Sequence, residues 1–340
     1  MTADPPSTRI APPERLRQGA PAAVLAALPG ARAVGGVVRD ILAGRPVHDI
    51  DVAAPLAPEA IAERLRAAGL KVFETGLQHG TVTAVLNHEP VEVTSLRQDL
   101  ATDGRHATVA WTQDWREDAA RRDFTMNAMS LDADGRLWDY FGGRDDLAAG
   151  RLRFVGDPAT RLAEDYLRVL RFFRFHARYG IGAPEAAALA AIRAAVPGLA
   201  RLSAERVWME LKRLLEGPSP ADSLALMRDT GVLPAILPEA GALDALARSE
   251  APPDPLLRLS LLLAADPAPI AKRLKLSGDE TRRLRDLLAI PASAPELSDD
   301  DLRRLLAEHP TDLATATAWA AEARDGQSRA TLRTRINTTP

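Results

Sequence analysis

The chain has 340 residues with 46% hydrophobic content, enough for two or three domains with real cores. It contains no cysteine, which excludes disulfides, thiolate zinc sites and cysteine nucleophiles. The net charge of −3 argues against a uniformly basic nucleic-acid binder, and no run of about 18 apolar residues offers a membrane-spanning helix.

Residues 1–15 are rich in proline and small residues and lack an apolar leader core, which predicts a disordered N-terminus and a cytoplasmic protein. Ala33-Val34-Gly35-Gly36-Val37-Val38-Arg39-Asp40 then reads as a short apolar strand, a glycine turn and a helix start, where backbone N–H groups and the helix dipole attract phosphate. Asp49-Ile50-Asp51 follows. On a strand, successive side chains alternate faces, so Asp49 and Asp51 share one side while Ile50 and Val52 take the apolar side. Such a pair suits Mg²⁺, which takes hard oxygen ligands, usually only one or two carboxylates, and fills its octahedron with water and substrate phosphates. Turn and acid pair together point to a nucleoside triphosphate site, and their order resembles the signature of polymerase-beta-type nucleotidyltransferases.

Downstream, Ile61, Leu65 and Ala68 recur at helical spacing within Pro58 to Ala68, and Val82 to Leu86 and Val91 to Val93 read as strands. The helical-looking Asp114 to Ala120 leads into Arg121-Arg122-Asp123-Phe124-Thr125-Met126-Asn127-Ala128-Met129. Adjacent arginines beside an acid suit a charged network that holds a guanidinium rigid for bidentate phosphate contact. A helix C-terminus that simply favours cations accounts for the same pair. Near residue 150 the strand signals fade. Leu162 to Tyr179, Ala186 to Ala195, Ser203 to Leu215, Ala221 to Thr230, Leu256 to Ala264, Glu280 to Leu288 and Asp300 to Glu308 read as successive helices. From Pro291 onward the pattern is otherwise uninformative.

Charge is distributed unevenly: residues 1–150 carry −5, residues 151–215 carry +6 and residues 216–340 carry −4. The basic block is a footprint for triphosphate or RNA backbone, or a set of solvated helix faces. Within it, Asp165 and Arg168 stand at i and i+3, and Arg168, Arg171 and Arg174 repeat by three, one polar stripe if the segment is a single helix. Leu167, Leu170 and Phe173 form the apolar stripe. An acid beside an arginine makes an acceptor–donor edge that complements cytosine or adenine, whose amino group lies beside an acceptor. Guanine and uracil place a carbonyl there instead, a mismatch costing about 1–3 kcal/mol. An ordinary i,i+3 salt bridge worth about 0.2–0.5 kcal/mol explains the same spacing.

Five motifs in this order resemble the class II CCA-adding tRNA nucleotidyltransferases, the family shared with bacterial poly(A) polymerases. Gly35 to Asp40 with Asp49-Ile50-Asp51 is similar to the first motif and Arg121 to Met129 to the second. Asp139-Tyr140-Phe141-Gly142-Gly143 is similar to the flexible hinge, Glu164-Asp165-Tyr166-Leu167-Arg168 to the templating motif, and Leu202 to Val207 with Glu210-Leu211 to the last. The likeness covers roughly residues 30–215.

The resemblance implies that Asp49 and Asp51 bind the catalytic Mg²⁺ ions, with Glu92 as a third carboxylate on a neighbouring strand. It implies that the Gly35-Gly36 turn and Arg39 meet the triphosphate, and that Arg122, Asp165, Arg168, Arg171 and Arg174 complete the nucleotide pocket. Asp103-Gly104-Arg105-His106 resembles the family's mobile loop. The expected fold is an α+β nucleotidyltransferase head with a small mixed sheet, residues 16–150, followed by an all-α body. In that body, residues 151–215 form a nucleotide-recognising helical neck and residues 216–340 an RNA-binding body and tail. The implied reaction adds CMP and AMP to the tRNA 3′ end by two-metal in-line attack of the 3′-hydroxyl on the α-phosphate of CTP or ATP. Bacterial poly(A) polymerase is the alternative; the acidic balance of residues 216–340 favours CCA addition. A non-catalytic RNA-binding relative and a small-molecule nucleotidyltransferase stay open as further readings. The latter gives no reason for the Asp165 to Arg174 stripe.

Overall fold

A computed structural model describes residues 4–47, 49–102, 107–218, 220–241, 243–263, 266–290 and 295–339. The chain divides into two units, Met1–Asp165 with Tyr179–Ala188, and Tyr166–Arg178 with Leu189–Pro340. The loop Asp103 to His106, singled out in the sequence, lies outside the described residues.

In the first unit the elements run β1 (Thr8–Arg9), α1 (Gly19–Ala27), β2 (Arg32–Val34), α2 (Gly36–Leu42), β3 (Asp51–Ala54), α3 (Pro58–Ala67), β4 (Lys71–Gly76), β5 (Thr81–Leu86) and β6 (Glu89–Ser95). They continue with β7 (Arg97–Thr102), β8 (Ala107–Trp111), α4 (Trp115–Ala120), β9 (Met129–Leu131), β10 (Arg136–Asp139), α5 (Gly143–Ala148) and α6 (Pro158–Glu164). The described strands form a mixed sheet of order β1-β10-β9-β2-β3-β6-β5-β4, and β7 pairs with β8 in a separate hairpin. Only β3 and β6 pair in parallel within the sheet. The expected small sheet is thus eight strands wide, because β9, β10 and β1 extend it beyond β2.

One face of the sheet is sealed by helices. Val24 of α1, Val38 of α2 and Ile61 and Leu65 of α3 pack on Val52, Ala54, Val82, Ala84, Val91 and Val93. Each such aliphatic side chain contributes about 1.5–3 kcal/mol on full burial. Val34 and Ala53 point the other way and pack with Leu96 and Trp115 in a smaller patch. Alternation along β3 therefore sends Asp51 to the side of Ala53, away from the helix-covered core.

The start of the chain is not disordered from Asp4 onward. Asp4 Oδ2 accepts from Arg32 Nη2 at 2.9 Å and from the Tyr140 hydroxyl at 2.6 Å, and its carbonyl accepts from Trp138 Nε1 at 2.9 Å. Arg32 in turn lies between the rings of Trp115 and Trp138. Proline-rich composition signalled disorder, but Arg32 lies 28 residues downstream and Trp138 and Tyr140 lie 134 and 136, beyond the reach of a local reading.

The second unit is helical: α7 (Leu167–Tyr179, its last residue grouped with the first unit), α8 (Ala186–Ala195, whose first turn is likewise), α9 (Ala204–Leu215), α10 (Pro220–Asp229), α11 (Val232–Ile236) and α12 (Asp244–Arg248). It continues with α13 (Pro255–Leu261), α14 (Ala268–Leu274), α15 (Gly278–Ala289), α16 (Asp299–Glu308), α17 (Thr311–Asp325) and α18 (Ala330–Thr338). Ser203, Asp254, Ser277 and Ser298 cap their helices by accepting from first-turn N–H groups. The single helix expected over Leu162 to Tyr179 is two. Asp165 takes an extended conformation, φ −154° and ψ 108°, and separates α6 from α7. In the second unit the Tyr166 ring lies against Gly198, where a Cβ would meet Tyr166 Cε1 at 2.1 Å. That contact fixes the break, with no glycine or proline in the segment to announce it. No helix of the described residues is long and apolar enough to cross a membrane.

Candidate functional site

Two elements present the acids of the first unit. Ile50 and Val52 are buried while Asp49 and Asp51 are exposed, the alternation expected of a strand, although the strand itself begins only at Asp51. Asp51 lies directly across from Glu92 in the parallel register of β3 with β6, and Val91 and Val93 turn into the core. Glu92 therefore faces the same side as Asp51, as the sequence predicted for a neighbouring strand.

Asp51 feels the other two carboxylates. The Asp51 carboxyl is raised above its ordinary range, first by desolvation and then by Glu92, with Asp49 adding and Arg122 opposing. The residue keeps solvent access, yet protein surrounds the carboxyl on enough sides to strip part of its water. Among the described residues no three His, Asp or Glu side chains converge into a cluster that holds a metal ion alone. Mg²⁺ does not need such a cage, since one or two carboxylates with water and phosphate suffice. Hard oxygen donors whose like charges raise Asp51 fit a divalent cation.

Gly35 precedes α2 with φ 71° and ψ −127°, a conformation reserved for glycine. A Cβ there would stand 2.9 Å from Arg122 Nη1, so the guanidinium rests directly on the turn. Arg122 Nη2 donates to Asp118 Oδ2 at 3.1 Å. Gly35, Arg122, Asp49, Asp51 and Glu92 are thus brought to one region of the first unit.

Arg39 is placed differently. It is 9% exposed, and its Nε and Nη2 donate to Asp40 at 3.1 and 2.9 Å while Nη1 donates to Asn127 Oδ1 at 2.7 Å. Its guanidinium lies behind Gly36 and over the Tyr179 ring, and the Tyr179 hydroxyl donates to Asp40 at 2.6 Å. Asn127 Nδ2 continues the chain to Asp123 Oδ1 at 3.0 Å. In this arrangement Arg39 braces the turn from behind.

On α7, Leu167, Leu170 and Phe173 are buried as expected, and Val169, Phe172 and Phe175 are buried as well. Arg168, Arg171 and Arg174 stay partly exposed on the remaining stripe. Asp165 stands before the helix, so its i,i+3 relation to Arg168 is not that of one helical turn. Within the second unit Arg174 Nε donates to Glu210 Oε2 at 2.6 Å, and Arg171 Nη1 stands 3.9 Å from Glu210 Oε1. Burial is the first influence on Arg174 and lowers its pKa, and Glu210 offsets it.

Asp118 received no role in the sequence reading, and Glu210 only a place in the last motif; both are 2% exposed. Each had a signal: Asp118 stands three and four residues before Arg121 and Arg122, and Glu210 interrupts the apolar face of α9 between Val207 and Leu214. A cavity of about 550 Å³ in the first unit is lined by Leu16, Arg32, Asp132 and Trp138 among others, and by none of these site residues.

Comparison with known proteins bears on the family and the fold. Residues 31–153 match the family model described as Poly A polymerase head domain, and residues 183–243 the model described as Probable RNA and SrmB- binding site of polymerase A. The chain is 42% identical over 260 residues to the mitochondrial CCA tRNA nucleotidyltransferase 1 of Danio rerio, covering 73% of this chain and 60% of that protein. It is 39% identical over 220 residues to the CCA-adding enzyme of Geobacillus sp. (strain WCH70), covering 63% and 53%. The crystal structure of the Bacillus stearothermophilus CCA-adding enzyme in complex with CTP superposes with a TM-score of 0.79 at 30% identity, covering 90% of this chain and 77% of the other. The chain spans about half to three-fifths of the length of the curated relatives it matches.

Proposed function

Because the chain belongs to the family of CCA-adding tRNA nucleotidyltransferases and bacterial poly(A) polymerases, we propose that it adds CMP and AMP to the tRNA 3′ end. The RNA 3′-hydroxyl attacks the α-phosphate of CTP or ATP in line and expels pyrophosphate. The observation that carries this reading is Asp51 set across from Glu92 in the β3–β6 register, with Arg122 lying on the Gly35 turn.

Asp49 and Asp51 hold the divalent cation, taken here as Mg²⁺, and Glu92 closes the same side. When bound, such a cation supplies Lewis-acid polarisation of the attacking hydroxyl and neutralises charge on the triphosphate. The chain's own residues do the rest by placement. Backbone N–H groups of the Gly35-Gly36 turn and the Arg122 guanidinium meet the triphosphate, and Arg39 keeps the turn in place. Asp165 and Arg168 select cytosine and adenine by their acceptor and donor edges, and Arg171 and Arg174 complete the nucleotide pocket. No enzyme nucleophile is required, because preset positive charge at the leaving phosphates lowers the barrier without reorganisation. Residues 151–215 act as the nucleotide-recognising neck and residues 216–340 as the RNA-binding body, in keeping with the RNA-binding model matched at residues 183–243. The reading assigns the protein to the cytoplasm; a mitochondrial location leaves the chemistry unchanged.

The test uses purified protein, tRNA lacking its CCA end, Mg²⁺ and each labelled nucleotide in turn. Incorporation of CTP and then ATP is expected, with UTP and GTP excluded. Asp51→Ala is expected to abolish incorporation while leaving the thermal transition in place. Long adenosine tails would establish poly(A) synthesis instead, and retained turnover in the Asp51 variant would refute the metal assignment.

A further inference from the structure

The Asp118 carboxylate is almost wholly withdrawn from water, and every donor that compensates it can be named. Oδ1 accepts from Arg121 Nε and Nη2 at 2.9 and 2.8 Å and from the Arg97 backbone N–H, at the first residue of β7, at 3.3 Å. Oδ2 accepts from Arg122 Nη2 at 3.1 Å. One oxygen thus secures α4 to the base of the β7–β8 hairpin, and the other grips Arg122. These donors keep the carboxyl ionised: burial pushes its pKa up, but Arg122 and Arg121 outweigh that and hold it below the ordinary carboxylate range.

Arg122 has one end on Asp118 and the other on the glycine turn. Its Nη1 stands where a Gly35 Cβ would touch it, and its charge reaches Asp51. A free arginine side chain samples many rotamers, and each must be given up when a ligand is gripped. Fixing the guanidinium beforehand removes that loss from nucleotide binding.

We propose that Asp118 is a positioning residue that holds Arg122 against the Gly35 turn, so that an incoming nucleoside triphosphate meets a preset charge; the proposal rests on the nucleotidyltransferase reading. A purely local role, in which Asp118 only ties α4 to β7, makes a different set of predictions. Asp118→Asn keeps the shape and one acceptor but removes the charge. Equilibrium binding of CTP and of ATP to the full chain is expected to weaken about tenfold in this variant, the loss of one charge-assisted bond. The KM for nucleotide should rise in step, while kcat and the KM for tRNA move by less than about twofold. Coupling to Arg122 is the discriminating readout: the double variant Asp118→Asn, Arg122→Gln should bind nucleotide no worse than Arg122→Gln alone. Additive losses, or unchanged nucleotide affinity in Asp118→Asn, overturn the proposal. Should Asp118→Asn fail to fold, Arg121→Gln removes the two guanidinium bonds to Oδ1 but spares the bond to Arg122, and is expected to leave nucleotide affinity unchanged. A loss there equal to that of Arg122→Gln overturns the proposal as well. Binding is read without turnover, so failure of the functional reading alone would show as nucleotide binding without incorporation.

Discussion

At Gly35 a single missing side chain decides two things at once. The backbone there, φ 71° and ψ −127°, is the one that opens a type II′ turn, and the space a Cβ would fill is taken by Arg122 Nη1 at 2.9 Å. Gly35→Ala is therefore expected to cost about 1–3 kcal/mol from the backbone strain alone. It should also push the guanidinium off the turn, so a drop in melting temperature ought to come with a raised KM for nucleotide. Unaltered KM in a destabilised variant would separate the turn from nucleotide binding. Gly35 was legible in the sequence because such a conformation needs a glycine there. The fate of Arg39 was not. Asn127 and Tyr179, which meet Arg39 and Asp40, lie 88 and 139 positions away from their partners, and no local pattern reports such a meeting.

Between elements, the joint of α9 and α15 shows how one acid couples two helices. Glu280 Oε1 accepts from Lys212 Nζ at 2.9 Å and from Trp208 Nε1 at 3.2 Å, while Oε2 accepts from the Ser277 N–H at 2.9 Å in a capping box. Desolvation works to raise its pKa, but the bonds from Lys212, Ser277 and Trp208 prevail and bring it from 4.5 down to about 2. A carboxyl depressed in the folded state takes up its proton first in the unfolded chain, so its contribution is complete above about pH 4.5 and is lost as pH falls to about 2. Glu280→Gln preserves the capping geometry and removes the charge. Its melting temperature is expected to lie a few degrees below the parent at pH 7, with the gap closing through that acid window and gone at its lower end. A gap that persists at low pH would mean that shape, not charge, joins the helices. Helices with a readable apolar spacing were legible: α8, α9, α10, α13, α15 and α16 each match a predicted segment to within a few residues. Others gave no such signal. α17 buries Leu313 and Thr317 together with Ala314, Ala316, Ala318, Ala320, Ala321 and Ala323, so alanines point inward around most of its circumference and no stripe emerges. The split at Asp165 escaped for the opposite reason, since the helical spacing runs on through a break set by the packing of Tyr166 on Gly198.

Across the whole molecule the sequence alone overstates how much positive charge is offered to RNA. Residues 151–215 carry a net +6, but Arg151 and Arg153 pair with Asp146 and Lys212 with Glu280, acids that lie outside the block. Arg171 and Arg174 share the buried Glu210, so part of the charge on the arginine stripe is offset inside the protein. With the flanking segments at −5 and −4, the electrostatic footprint left for a phosphate backbone is small. Each neutralised phosphate contributes about −0.7 to −0.9 to the slope of log K against log salt, so about four contacts give a slope near −3. Measuring the Kd of the full chain for tRNA lacking its CCA end across a series of KCl concentrations is expected to return a slope between about −2 and −4. A slope steeper than about −6 would require more phosphate contacts than this charge distribution supplies, and would move the RNA footprint onto basic residues outside 151–215. A shallow slope with intact affinity would instead place recognition in the shape and the 3′ end of the RNA, where a short duplex with a single-stranded terminus is read by contacts other than charge.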